Sequence, residues 1–263
     1  MAKALTLPTT ERRRLSLAAA GVTIRDAAAD AAPGFSGYAA KFNERAAIGN
    51  PLTWGFYEQV ADGAFTKTLS EGDARFLVDH DTRLVVSRTS ADTLRLAQDK
   101  TGLATDSDLD TELTYVRDLV ANLRNGNITG MSFGFEVKKD SWETVQVAET
   151  DDGDPVEAEL RTLLEIKLYE VSAVTFPAYE STEAKLRSVA TALVHRGDDD
   201  AIARHAERKP ELLRYTQIDG REPGKSTRGG DDMEPGKSTP SSAVQIGLAM
   251  RKLAATYGLP ANK

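Results

Sequence analysis

A β-rich α+β fold is the class this 263-residue sequence predicts, and three observations carry the expectation. Short runs rich in β-branched and aromatic residues recur between Phe35 and Asp106, separated by turn residues at the spacing of a barrel or sandwich. One stretch, 111–125, repeats Leu113, Val116, Leu119, Val120 and Leu123 at helical spacing. A second strand-like block then runs from Gly130 to Tyr179, entered directly from that helix.

The elements follow in chain order. Residues 1–33 read as an N-terminal arm, alanine-rich near its end and closed by Pro33-Gly34, although Leu15, Leu17, Val22 and Ile24 suit an edge strand. Phe35 to Phe42 is a strand and Asn43 to Pro51 a loop, followed by the aromatic run Thr53 to Val60. Asp62 to Leu69 predicts a short helix capped by Asp62, with Phe65 and Leu69 on one face. Asp73 to Asp81 is a strand ending in a polar tip that carries His80. Strands are expected at Leu84–Arg88, Thr93–Ala97 and Leu103–Asp106, with a turn at Asp99–Gly102. The helix over 111–125 takes Asp110 or Thr111 as its cap and Gly126 as the residue just beyond its end. Val137 to Ala148 reads as a return strand, 149–159 as an acidic loop, and Glu170 to Phe176 as a strand stopped by Pro177. Beyond Arg187 the patterning weakens, with a helix expected over 201–215. Residues 219–242 form a polar linker containing the repeat Glu222-Pro-Gly-Lys-Ser-Thr227 and Glu234-Pro-Gly-Lys-Ser-Thr239. A closing amphipathic helix carries Ile246, Ala249, Met250, Leu253 and Tyr257 on one stripe, suited to docking in a partner's groove.

Composition narrows the chemistry. A formal charge of -7 argues against a nucleic-acid protein working through a basic field. The absence of cysteine removes disulfides, thiolate catalysis and cysteine-held metals. No apolar run reaches membrane-spanning length. Arg12-Arg13-Arg14 ahead of Leu15–Ala20 resembles the start of a signal peptide, but the apolar piece is short and Arg25-Asp26 follows, so export is not expected. The Gly-Lys-Ser-Thr repeats have neither the glycine spacing nor the strand-to-helix setting of a phosphate loop, so no nucleotide cofactor is expected. With three histidines in all, a metal site would have to rest on His80 with Asp79 and Asp81, which point different ways on a strand, so no metal is expected either.

The most informative stretch is Gly130-Met-Ser-Phe-Gly-Phe135. Period-two alternation puts Met131, Phe133 and Phe135 on one face and Ser132 with Gly134 on the other. Two readings fit: a hydroxyl on a face cleared of bulk, as a nucleophile requires, or an ordinary strand with glycines at a bulge. His80 is the one histidine in the strand-rich region, since His195 and His205 fall in the weakly patterned part and read as solvated. It is either a structural surface residue or the base that such a serine needs, and Glu170, polar on an apolar strand, is a candidate to orient it. The letters Gly130-Met-Ser-Phe-Gly134 match a hydrolase elbow, but they follow a helix rather than end a strand that enters one, which disfavours a small-molecule esterase.

Taken together, Gly37-Tyr-Ala-Ala-Lys-Phe-Asn43, Gly63-Ala-Phe65, Asp79-His-Asp81, Gly102-Leu103, Gly130 to Phe135 and Glu170 to Tyr179 resemble, in order, the prohead proteases of tailed bacteriophages. The resemblance spans Phe35 to Arg187. It implies an assemblin-like β-barrel with surrounding helices over 34–188; it does not cover the flexible arm before that domain or the C-terminal tail after it, read from the residues as a weakly structured region and linker (189–242) and the helix at 243–263. It implies His80 as catalytic histidine, Ser132 as nucleophile and Glu170 on the strand that carries the third member in the assemblins. The expected activity is a serine endopeptidase that processes scaffolding protein, the major capsid protein precursor and itself. Its partners would be those precursors and a possible second copy of the chain, with no nucleic acid and no membrane, and its place the procapsid in the host cytoplasm. The alternative is a non-catalytic scaffold-like protein of the same shell. In one departure, Ser87-Arg88 stands where such proteases often carry Gly-Arg.

Overall fold

Strand β1 (Glu11–Ser16) runs into a single helical turn, α1 (Leu17–Ala20), and a short strand, β2 (Thr23–Arg25). There follow β3 (Gly34–Lys41), β4 (Ala46–Ile48), β5 (Phe56–Val60), α2 (Thr66–Glu71), β6 (Arg75–Val78), β7 (Asp81–Arg88), β8 (Leu94–Gln98) and β9 (Gly102–Asp108). Helix α3 (Thr114–Arg124) precedes two 20-residue strands, β10 (Gly130–Glu149) and β11 (Pro155–Val174), and then α4 (Thr182–Arg196), α5 (Asp199–Arg208) and α6 (Leu213–Thr216). This computed structural model describes residues 10–27, 33–149, 151, 153–176 and 182–216. The expected linker at 219–242 and helix at 243–263 lie outside the described residues.

The described residues divide into a strand-rich unit, within 10–47 and 57–176, and a helical unit, 48–56 with 182–216. In the strand-rich unit the β-rich α+β expectation holds, as two sheets rather than one closed barrel among the described residues. The larger has the order β1-β10-β11-β5-β4, with β6 also on β11 and β7 on β6; the smaller is β2-β3-β9-β8. Closure requires every strand to have two neighbours, and β1 and β7 have one each. The sheets enclose a core in which Phe35 packs tilted against Phe76 at 4.9 Å and Phe133 lies between Phe65 (5.9 Å) and Phe135 (4.8 Å). Each such fully buried ring contributes about 1.5–3 kcal/mol over exposure.

Residues 11–25, expected as an arm, are built into both sheets: β1 pairs with β10 and β2 with β3. The reason is an ion cluster invisible in hydropathy. Arg13 bonds Glu58 (2.5 and 3.0 Å) and Glu11 (2.6 Å), while fully buried Arg161 reaches Glu11 (3.2 Å), Glu58 (3.0 Å) and Asp140 (2.7 Å). Burial alone would raise the Glu11 carboxyl, but the Arg161 and Arg13 charges outweigh it and hold the group below its ordinary value.

The long hairpin also differs from expectation. Val137 to Ala148 is not a return strand; it continues β10, and the return is β11. Helix α3 buries Val116, Leu119, Val120 and Leu123 as the spacing predicts, and Gly126 takes φ +72 beyond its end. Leu113 sits outside the helix, partly exposed, because the Asp110 side chain and carbonyl take the Glu112 and Leu113 amides into a turn. In the helical unit, α5 and α6 fall on the stretch 201–215 expected to be helical, whereas α4 occupies a stretch for which no element was expected. No helix among the described residues is long and apolar enough to cross a membrane.

Candidate active site

His80 stands on a two-residue hairpin turn. Val78 of β6 pairs with Asp81 of β7, so Asp79 and His80 form the loop, with φ of +47 and +61. Left-handed φ at both central positions is what a type I′ turn needs, and aspartate and histidine are among the non-glycine residues that adopt it most readily. The turn is clasped to the end of β11: Asp79 Oδ1 accepts from the Thr175 amide (2.8 Å), Oδ2 from the Thr175 hydroxyl (2.8 Å), and the Asp79 amide donates to the Ala173 carbonyl (2.9 Å). The imidazole is thereby aimed inward, with its side chain 7% exposed.

The antiparallel register of β10 and β11 sets Ser132 opposite Ser172 and Gly134 opposite Glu170. Directly opposed residues share a face, and period two keeps Ser132 with Gly134 and Ser172 with Glu170. The structure joins His80 to Glu170: Nδ1 and Oε1 are 2.7 Å apart. His80 Nε2 is buried and has no hydrogen-bond partner. Gly134 makes room for this pairing, since a Cβ there would lie 2.3 Å from Glu170 Oε1. The face expected to be open is therefore filled by the Glu170 carboxylate. Ser132 is fully buried, and its hydroxyl donates to the Arg13 carbonyl of β1 at 2.9 Å rather than to His80.

The neighbouring acids have other work. The Arg83 side chain and amide bond the Asp81 carboxyl and pull it down to about 2. Arg88 forks onto Asp73, which is held far below the carboxylate range by that bond. Ser87, standing where a glycine was expected, is an ordinary buried strand residue bonded to the Ser107 hydroxyl at 2.7 Å, with no left-handed backbone to accommodate. Among the described residues, no group of three His, Asp or Glu side chains could hold a metal. His195 is exposed as expected, whereas His205 is buried because it shares the inner stripe of α5 with Ala201, Ile202 and Ala206.

Two features escaped the sequence reading. The Ser172 hydroxyl donates to Glu170 Oε2 at 2.5 Å, a contact that the Glu-Val-Ser alternation of 170–172 makes possible by placing both side chains on one face. The carbonyl facing Ser132 comes from β1, and no local signal in Arg12-Arg13-Arg14 identifies its partner strand.

Comparison with known proteins bears on the chemistry. A family model described as caudovirus prohead serine protease matches residues 20–195, well over half the chain. Among solved structures, the capsid assembly protease gp21 of bacteriophage T4 is similar at 14% identity and a TM-score of 0.37, over 65% of this chain and 99% of that one. No curated protein matches the sequence.

Proposed function

The chain belongs to the caudovirus prohead serine proteases, and on that premise we propose that Ser132, His80 and Glu170 are its nucleophile, general base and orienting carboxylate. Its role is that of a capsid-maturation serine protease. The observation supporting this assignment is the 2.7 Å pairing of His80 with Glu170, which leaves Nε2 buried and unpartnered on the sheet face that carries Ser132.

Glu170 accepts the Nδ1 proton of neutral His80, which fixes the tautomer with its lone pair on Nε2. In this reading the Ser132 hydroxyl gives up the Arg13 carbonyl for Nε2 when substrate enters. His80 takes the proton as Ser132 Oγ attacks the scissile carbonyl, and the imidazolium is stabilised by the Glu170 charge. The same proton passes to the departing amine, leaving an ester on Ser132. Water, deprotonated by His80, then cleaves the ester, releasing the new carboxyl terminus and restoring the serine.

The substrates in this reading are the scaffolding protein and the major capsid protein precursor inside the procapsid, assembled in the host cytoplasm, with self-cleavage and a possible homodimer as further features. The test is co-expression with the capsid precursor and mass measurement of both products. Ser132→Ala is expected to abolish processing, losing one hydrogen bond worth about 0.5–1.5 kcal/mol of stability. Glu170→Gln is expected to lower turnover yet leave measurable activity, because the orienting member is the least costly to lose. Cleavage by a folded Ser132→Ala protein overturns the nucleophile, and wild-type rates in Glu170→Gln overturn the orienting role.

A further inference from the structure

A carboxylate can orient an imidazole only if something orients the carboxylate. The terminal torsion of a glutamate is broad and roughly twofold, so a single contact leaves the group free to rock. Glu170 has two. Oε1 faces His80 Nδ1, and Oε2 accepts from the Ser172 hydroxyl. Ser172 is fully buried, two residues along the same strand and on the same face as Glu170, with its Cα paired in register to that of Ser132. The donor is thus tied by the backbone ladder to the positions of both the nucleophile and the orienting residue.

The other groups beside Glu170 do not compete for that oxygen. Arg75, its register partner on β6, directs its guanidinium to Asp73 at 2.8 and 3.2 Å. Tyr169 donates to Glu136 at 2.8 Å. Gly134, opposite on β10, has no side chain. A neutral hydroxyl is also the chemically suitable donor. An arginine here would form an ion pair and draw the carboxylate's charge away from the imidazolium, whereas a serine fixes the direction of the carboxylate and leaves its charge for His80.

We propose that Ser172 is a positioning residue of the protease: its hydroxyl locks Glu170 so that Oε1 is held on His80 Nδ1. The proposal rests on the assignment of Ser132, His80 and Glu170 made above. It is tested with Ser172→Val and Ser172→Thr, which have the same shape but differ in the hydroxyl, assayed in the full chain on a peptide spanning a cleavage site mapped in the capsid precursor. Ser172→Val is expected to lower kcat by roughly 10- to 100-fold with KM nearly unchanged, and Ser172→Thr to recover most of the loss. In a Glu170→Gln background the Ser172→Val change is expected to cost less than about twofold, because residues acting as a unit are not additive.

Equal impairment by valine and threonine overturns the proposal in favour of simple crowding, as does the same loss in both backgrounds or a wild-type kcat in Ser172→Val. Ser172→Ala, which cannot crowd the site, carries the same comparison if the larger residues prevent folding. Cleavage by Ser132→Ala, or wild-type rates in Glu170→Gln, overturns the site assignment and this proposal with it. A flat response at Ser172 alone, with those two variants impaired, overturns only the positioning role.

Discussion

Adding one methyl group at Gly134 strikes the His80–Glu170 pair without touching either residue. In Gly134→Ala the new carbon falls 2.3 Å from Glu170 Oε1, 3.0 Å from its carboxyl carbon and 3.2 Å from Cγ. Ordinary contact lies near 3.5 Å, so the carboxylate must retreat by roughly 1 Å. That opens the 2.7 Å approach to His80 beyond hydrogen-bonding range. A hydrogen bond to a charged group is worth about 1.5–3 kcal/mol, and if it is fully realised in the transition state its loss lowers kcat by roughly 10- to 150-fold. Stability should change much less, because alanine restricts the unfolded chain more than glycine and offsets part of the strain. Steady-state cleavage of a mapped precursor peptide gives kcat and KM, and a thermal melt gives the fold. The control is Glu170→Ala, which removes the obstacle; there Gly134→Ala is expected to cost less than about twofold. A single variant with near-wild-type kcat, or an undiminished loss in the Glu170→Ala background, would refute the argument that Gly134 exists to admit the carboxylate.

The ion cluster beneath β1 supplies two further tests. Arg161→Ala leaves Glu11, Glu58 and Asp140 without their shared cation and is expected to destabilise the protein by about 3–5 kcal/mol in a denaturant titration; a loss under about 1 kcal/mol would mean water replaces the guanidinium. The Glu11 carboxyl is held below its ordinary value of 4.5 in the folded chain, so its contribution to stability is complete above that pH and is lost as pH falls through the lowered value. Melting temperatures of wild type and Glu11→Gln should therefore converge below pH 4.5, and a gap that stays constant or widens on acidification refutes the linkage.

The residues that were legible in the sequence are those whose chemistry and periodicity agree. Ser132 with Gly134, and Glu170 against Val171 and Ala173, follow from alternation alone, as does the buried stripe of α3. Partnership across long separations was not legible. Arg13 and Glu58 are 45 residues apart and Arg161 and Glu11 are 150 apart, so a charged stretch expected as part of an arm became a half-buried strand. The true length of β10 was hidden for a related reason. Its outer half, 138–149, is mostly exposed and polar, so it reads as a change of element when it is the same strand leaving the core. Ser172 was hidden differently: a serine two positions from a glutamate looks ordinary until the carboxylate's second oxygen needs a donor.

The position of β1 has a consequence for how a polypeptide reaches Ser132. Over residues 130–135 one edge of β10 is taken by β1 and the other by β11. Strand β10 has no free edge there, so with Ser132 as the proposed nucleophile a substrate is not recruited by extending the sheet beside it, the mode by which many peptide-binding domains gain sequence-independent grip. On that assignment the incoming chain approaches across the face instead. Register places exposed Arg12 and Arg14 beside Gly134 and Ser132 on that face. Selection of the scissile bond then falls to side-chain fit, and an inhibitor for this enzyme is better designed as a compact electrophile with a matched side chain than as an extended backbone mimic.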